Sequence, residues 1–130
     1  MAELHPVLSA EQRAALVRGG TEHFHAGRFF DAHEAWEEIW RSTTPEPRDL
    51  FQGLVQLAAA FHHLQVRRRP DVARRVLVRA RRRLAALSGD AGGLDLGALL
   101  PQLSAWDAWL AAPVGPAPPM PSLSWRDAPQ

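Results

Sequence analysis

The sequence predicts an all-α fold, a compact bundle of four to five helices. Apolar residues recur at three- and four-residue spacing in several successive segments, which is the periodicity of amphipathic helices. Turns rich in glycine or proline separate these segments, and the third segment is apolar on nearly all sides. A chain of 130 residues is about one domain in length. We therefore expect residues 1–112 to form a single helical domain, with residues 113–130 as an extended Pro-rich tail packed on it.

Capping signals delimit the first two helices. Ser9 and Gln12 have the spacing of a capping box, which predicts a helix over about 10–26. Gly27 is suited to end that helix, and a second helix over about 29–41 follows at once, as in an antiparallel hairpin. The expected buried stripe of the second helix consists of Phe29, Ala32, Trp36, Ile39 and Trp40.

Two adjacent glycines, Gly19 and Gly20, lie in the middle of the first helix. Each costs roughly 1 kcal/mol of helix stability relative to alanine. A glycine allows another backbone or a large side chain to approach closely. We therefore expect a close contact with a neighbouring helix at this pair.

The third helix is predicted over about 48–66 and is expected to be the central one. A helix that is apolar nearly all round is packed by neighbours on several sides. The preceding segment, 42–47, is predicted to be a loop because of its prolines and hydroxyl residues. Pro70 is well placed as the first residue of a fourth helix, which we expect to end near residue 87.

The last helical part of the chain is expected to be broken in two. After a glycine-rich turn over 88–93, Asp95 can cap a short helix that runs through Leu100. Pro101 is then expected to interrupt this helix before a final segment around 103–110, because proline lacks the backbone N–H that a helix interior requires.

The composition excludes several classes of protein. Cysteine is absent, so the fold has neither a disulfide framework nor a thiolate metal site. No apolar run approaches the roughly 20 residues that cross a bilayer, and the first residues lack the pattern of a signal peptide. The sequence thus predicts a cytoplasmic protein that does not associate with membranes.

Charge is distributed unevenly along the chain. All fifteen basic residues are arginine, and nine of them fall between Arg67 and Arg83. This run contains no aromatic residue for base stacking, so we expect a solvated face that binds nucleic acid only weakly and non-specifically. The sequence does not indicate which protein is the partner, and a homo-oligomer is compatible with it. Acidic residues cluster elsewhere, at Asp31, Glu34, Glu37, Glu38, Glu46 and Asp49.

His33 and Glu37 are the first candidate functional residues. Four residues apart on a helix, they lie on one face, which Phe29 and Trp40 are expected to share. A histidine and a carboxylate at this spacing can chelate one divalent metal, although the zincin pattern has a second histidine where this chain has Glu37. The alternative is a hydrogen-bonded polar pair beside the tryptophans, and buried polar groups usually have that simpler role.

A polar seam on the third helix supplies partners for this pair. Gln52, Gln56 and His63 are spaced by four and seven residues, so they line up along one side of the helix. Polar side chains on a central helix are costly unless each finds a partner, and we expect His33 and Glu37 to provide them. The result would be either a site of mixed nitrogen and oxygen ligands or a polar network that fixes helix register. We expect the network.

Two segments of the chain resemble a known family. These are FHAGRFFDAHEAWEEIWR over residues 24–41 and RDLFQGLVQLAAA over residues 48–60. Together they resemble the "domain of unknown function 309" family, and the likeness extends over roughly residues 17–87. The resemblance implies a small all-helical protein of bacterial or archaeal cytosol and implies no activity. The family's signature residues correspond here to His33, Glu34, Glu37, Trp40, Arg41, Gln52, Gly53 and Gln56.

The chain departs from the expected family pattern between the third and fourth helices. The resemblance implies a glycine or asparagine turn there, and this chain has Arg67, Arg68, Arg69 and Pro70 instead.

The sequence predicts a small binding or interaction module with a buried His/Glu/Gln polar network and no cofactor. The alternative is a metal-dependent hydrolase that uses His33, Glu37 and His63 as ligands. Because glutamines dominate the seam and indoles flank the helix, we expect protein purified without added metal to contain no stoichiometric zinc, iron or manganese.

Overall fold

The computed structural model describes residues 7–42, 48–87 and 91–126, and all structural statements below refer to these residues. They contain five α-helices and no named β-strand, which confirms the predicted fold class. The expected Thr43–Pro47 part of the loop, the start of the glycine-rich turn and residues 127–130 of the tail lie outside the described residues. The helices are α1 (Ala10–His25), α2 (Phe29–Arg41), α3 (Arg48–Gln65), α4 (Pro70–Ala85) and α5 (Leu96–Ala111).

Helices α1 and α2 form the predicted hairpin. The Ser9 hydroxyl accepts a hydrogen bond from the Gln12 backbone N–H at 3.0 Å, and the Gln12 side chain accepts one from the Ser9 backbone N–H at 2.8 Å. The capping box is thus confirmed. Gly27 has a φ of 82°, the left-handed conformation that glycine adopts without steric cost, and α2 begins two residues later.

The close contact expected at the glycine pair is confirmed for one of the two residues. Gly20 is buried against the indole of Trp36 in α2, and a Cβ at this position would lie 2.7 Å from two of the indole carbons. Gly19 faces open space. Gly20 therefore allows α1 and α2 to pack closely around a tryptophan that is fully buried.

Helix α3 is central, as predicted, and packs against both α2 and α4. Gly53 gives α4 a close approach, because a Cβ there would lie 2.7 Å from a methyl carbon of Leu84. The buried residues of α3 are Leu50, Phe51, Gly53, Leu54, Leu57, Ala58, Ala60 and Phe61.

The turn between α3 and α4 has an arginine where the family pattern implies glycine or asparagine. Arg68 has a φ of 56°, in the left-handed region that residues with a Cβ seldom adopt. Pro70 then opens α4, as predicted. The turn thus has the left-handed backbone conformation that is typical of glycine, although the residue at this position is Arg68.

Helix α5 is continuous, so the predicted interruption at Pro101 is wrong. The helix runs from Leu96 to Ala111 with the proline inside it. On either side of the proline, Leu99, Leu103 and Trp106 are buried in the core. Burying each such side chain contributes about 1.5–3 kcal/mol, which together exceeds the roughly 3 kcal/mol cost of an internal proline.

The start of α5 agrees with the sequence prediction. The Asp95 side chain accepts a hydrogen bond from the Ala98 backbone N–H at 3.1 Å, which confirms the predicted cap. An isolated antiparallel β-bridge between Leu94 and Trp125 joins this region to the C-terminal segment.

Residues 112–126 follow α5 without a further helix and cross the bundle back to α1. The Leu123 backbone N–H donates to His25 Nε2 at 2.9 Å, and Trp125 Nε1 donates to the Thr21 hydroxyl at 2.9 Å. Trp106 Nε1 donates to the Pro119 carbonyl at 2.8 Å. These bonds hold the segment at its middle and near its C-terminal end.

The described helices are also informative about membranes. None of the helices over 7–42, 48–87 and 91–126 is long and apolar enough to cross a bilayer.

Candidate functional site

The candidate site lies along one edge of α2. Phe30, His33, Glu34 and Glu37 are spaced by three, four and seven residues, so they share one face of the helix. The side chains of His33 and Glu37 are 26% and 23% exposed, and that of Glu34 is 57% exposed. The pair was expected to face the core, but it lies at the margin of the buried stripe.

Three metal-ligating side chains converge at this edge. One donor atom from each of His33, Glu34 and Glu37 lies within 4.8 Å of the other two. His33 Nδ1 is 3.6 Å from a Glu34 carboxylate oxygen, and this nitrogen is buried without a hydrogen-bond partner. Glu37 also contacts the Arg41 guanidinium at 3.4 Å, one helical turn further on. The cluster, here called the histidine–carboxylate site, combines one nitrogen and two carboxylate ligands.

An exposed aromatic ring flanks the histidine–carboxylate site. The rings of Phe30 and His33 are nearly parallel, with centroids 6.0 Å apart, and Phe30 is 58% exposed. The Phe30 ring is also 6.0 Å from that of His62 in α3. Phe30 thus bridges the two histidines and leaves much of its own surface open to solvent.

His62 is the histidine of α3 that lies on the α2 side. Its Nδ1 is buried without a hydrogen-bond partner, like that of His33. Burial lowers the pKa of His62, and the neighbouring charges of His63 and Arg67 lower it further. A smaller contribution comes from His33. Burial and charge together therefore favour the neutral imidazole of His62.

The predicted polar seam lies on another side of α3, towards α4. Gln56 accepts a hydrogen bond from Arg83 at 3.3 Å, and the same guanidinium donates to Asp49 at 3.3 Å. Within the described ranges, no hydrogen bond or ion pair joins His33 to Gln56. Gln56 has its hydrogen-bond partner in α4. The expected contact between the seam and the pair His33 and Glu37 is therefore not formed through Gln56.

The directions of His62 and His63 explain why the histidine next to α2 is not the one expected. Successive residues of a helix are rotated by about 100°, so His62 and His63 point in different directions. His63 shares the seam's side of the helix, and its ring meets that of His62 at a centroid distance of 6.3 Å. His62, rather than His63, comes next to Phe30 and α2.

Trp40, another of the signature residues, has a structural contact. Trp40 is only half-buried, and the guanidinium of Arg48 lies 4.9 Å from its ring centre, a cation–π contact. Trp40 thus lies at the edge of the stripe in which it was expected to be buried. Trp36, by contrast, has no exposed surface.

Sequence reasoning missed two members of this edge, Phe30 and His62. Glu34 was among the signature residues that the resemblance indicated, and the structure places it beside His33 and Glu37. The spacing of Phe30, His33, Glu34 and Glu37 along α2 was the available signal. Nothing in the sequence alone distinguished His62 from His63, because that choice depends on where α2 packs.

The arginine face of α4 is partly neutralised by other helices. Asp107 of α5 accepts from Arg74 at 2.9 Å and from Arg81 at 2.8 Å. Arg83 has its contact with Asp49. The sequence predicted a solvated face, but three of its arginines, Arg74, Arg81 and Arg83, have carboxylate partners on other helices.

Fold and site together define a small helical bundle with a half-buried histidine–carboxylate cluster on its second helix. The sequence profile of the family described as "Domain of unknown function (DUF309)" matches residues 17–76. This match confirms the resemblance, and it covers α2, α3 and the histidine–carboxylate site. No curated protein matches the chain at a significant level.

Proposed function

We propose that this protein is a binding module that holds a divalent metal ion at His33, Glu34 and Glu37. One observation supports the proposal above others: donor atoms of the three side chains converge within 4.8 Å, and His33 has a buried Nδ1 without a hydrogen-bond partner. A buried nitrogen without a partner is unfavourable, and a metal ion would satisfy it. The proposal retains the cytoplasmic location that the sequence predicts.

The donor set indicates which ions suit the site. Imidazole nitrogen together with carboxylate oxygen is typical of zinc and of other first-row divalent ions. The carboxylates of Glu34 and Glu37 provide negative charge beside the imidazole, which attracts a cation. Binding requires the neutral imidazole, so affinity should fall as the solution becomes acidic.

The geometry favours weak, exchangeable binding. All three ligands belong to little more than one turn of α2, and Glu34 is largely exposed to solvent. Glu37 must also give up part of its contact with Arg41 to turn towards an ion. The expectation that protein purified without added metal contains none therefore stands, and the proposal concerns uptake of added zinc.

Equilibrium dialysis tests this proposal. Untagged, metal-free protein is dialysed against Zn²⁺, and elemental analysis should then find about one zinc per chain. His33→Ala and Glu37→Gln should each abolish this uptake. Glu38→Gln is the matched control, since Glu38 is an exposed carboxylate of the same helix outside the cluster. Uptake that Glu38→Gln reduces as much as His33→Ala would refute the site, and so would wild-type protein that takes up no zinc.

A metal-dependent hydrolase is the second candidate function. Three protein ligands leave a coordination position for water on a tetrahedral ion, as in catalytic zinc sites. Glu34 takes the place that the sequence assigned to His63 as third ligand. This candidate ranks second because Glu34 is largely exposed and all three ligands lie on one helix, so the site is not an enclosed pocket of the kind that usually holds a substrate. Zinc-dependent ester hydrolysis that is lost in His33→Ala would favour it.

A further inference from the structure

A large cleft lies between α4 and the C-terminal end of α5, away from the histidine–carboxylate site. Its volume is about 730 Å³. We call it the arginine cleft. It is lined by Pro70, Asp71, Arg74, Arg75, Val78, Arg79, Arg82, Leu110, Ala111 and Pro113.

The arginine cleft combines apolar and basic surface. Val78 and Leu110 are half-buried, and Ala111 and Pro113 are exposed beside them. The neighbouring Val114 is 84% exposed and extends this apolar surface along the chain. The other lining residues are mainly arginines of α4. A groove of this kind suits a partner with apolar side chains on one face and negative charge beside them.

Two arginines of the cleft have no carboxylate partner in the described part of the chain. Asp107 neutralises Arg74, and Asp71 lies 4.0 Å from Arg75. Within residues 7–42, 48–87 and 91–126, no ion pair or side-chain hydrogen bond involves the guanidinium of Arg79 or of Arg82. Both also line a second cleft of about 390 Å³ on the other side of α4. Their positive charge is therefore available to a partner on either side of the helix.

We propose that the arginine cleft docks an acidic amphipathic segment of another protein. Charge complementarity supports this occupant: carboxylates would pair with Arg79 and Arg82 while apolar side chains cover Val78 and its neighbours. Helix α4 has 16 residues and is about 24 Å long, enough to accommodate a partner helix of about four turns. The proposal is independent of metal binding, because the two sites share no residue.

A nucleic acid fits the same surface less well. Phosphates would pair with the arginines but would leave Val78 and Leu110 uncovered. No lining residue of the cleft is aromatic, so bases would find no ring on which to stack. The apolar residues of the arginine cleft thus favour a protein segment over a nucleic acid.

Fluorescence anisotropy tests the charge requirement. The probe is a labelled 16-residue helical peptide with leucine at every third or fourth position and glutamate between. It should bind saturably to the full chain, more weakly as salt is added. Arg79→Ala combined with Arg82→Ala should weaken binding at least tenfold. Arg18→Ala combined with Arg67→Ala, which removes equal charge outside the cleft, should leave it within twofold of wild type.

A second pair of measurements tests whether the apolar residues of the arginine cleft contribute to peptide binding. Val78→Asn should weaken peptide binding several-fold, and Pro113→Ser, at an exposed position, provides the same test if Val78→Asn fails to fold. Neither change should affect binding of a 16-nucleotide single strand of DNA, which is expected to be weaker than the peptide at about 0.15 M salt. The proposal is overturned if the peptide does not bind, if both arginine pairs weaken it equally, or if DNA binds as tightly as the peptide. A homodimer that dissociates only in the Arg79/Arg82 variant would also overturn it and assign the cleft to a second copy.

Discussion

Gly20 of α1 and the indole of Trp36 in α2 are packed so closely that no Cβ fits between them. A methyl group on residue 20 would lie 2.7 Å from two indole carbons, well inside van der Waals contact. The contact positions α2 against α1 and so determines which face of α2 is left at the surface. The edge with His33 and Glu37 is part of that face.

The glycine pair gives the first prediction. Gly20→Ala should destabilise the protein by up to about 2 kcal/mol, because an overpacking cost of about 1–3 kcal/mol outweighs the roughly 1 kcal/mol gain in helix propensity. Gly19→Ala is its matched control: nothing lies within 4 Å of the added methyl group, so stability should rise by up to about 1 kcal/mol. Urea denaturation measures both. Equal effects of the same sign would contradict the close contact.

The two tryptophans of α2 should differ in their contribution to stability. Trp36→Ala is expected to cost about 3–5 kcal/mol, as truncation of a fully buried tryptophan does. Trp40 is half-buried beneath Arg48, so Trp40→Ala should cost less than about 2 kcal/mol. From the sequence, both tryptophans were expected in the buried stripe of α2, which would make both changes severe. Chemical denaturation of the two variants decides, and comparable losses would mean that Trp40 belongs to the core.

The left-handed residue Arg68 gives a prediction about the backbone. Arg68→Gly should stabilise the protein by about 1 kcal/mol, because glycine adopts this conformation without the steric cost of a Cβ. Arg68→Ala removes the same charge but keeps the Cβ, so it should show no such gain. Thermal unfolding of both variants separates backbone relief from charge. A gain of the same size in Arg68→Ala would attribute the effect to the charge.

His62 gives a prediction about pH. Its pKa is lowered in the folded protein, so below its ordinary value of about 6.5 the unfolded chain binds a proton that folded His62 resists. Unfolding is thereby favoured, and the free energy of unfolding should decrease as pH falls from 7 towards 5. His62→Gln should reduce the slope of this decrease. Denaturation at a series of pH values checks it, and an unchanged slope in the variant would argue against a half-buried, neutral His62.

Much of the fold was predictable because its signals are local. Ser9 and Asp95 cap their helices, and Gly27 takes the left-handed conformation where the pattern required it. The continuity of α5 was not predictable, because packing on both sides of Pro101 outweighs the local preference of proline. Elements delimited by capping residues are thus readable from sequence, whereas an element maintained by tertiary packing is not.

The candidate site was only partly predictable. His33 and Glu37 follow from helical spacing, and Glu34 followed from the resemblance to the family. The hydrogen bond from the Leu123 backbone to His25 joins residues 98 positions apart and has no local signal. Likewise, the position of His62 beside Phe30 depends on the orientation of α3 against α2. Long-range geometry of this kind requires coordinates.

Isothermal titration of zinc into untagged, metal-free protein near pH 7.5 tests metal binding at the histidine–carboxylate site most directly. The wild-type chain should show one binding site per chain, and Glu38→Gln should retain it. His33→Ala should show none while keeping its helical circular dichroism spectrum. The absence of zinc binding in the wild-type chain, or its persistence in His33→Ala, would contradict the proposal that His33, Glu34 and Glu37 hold a metal ion.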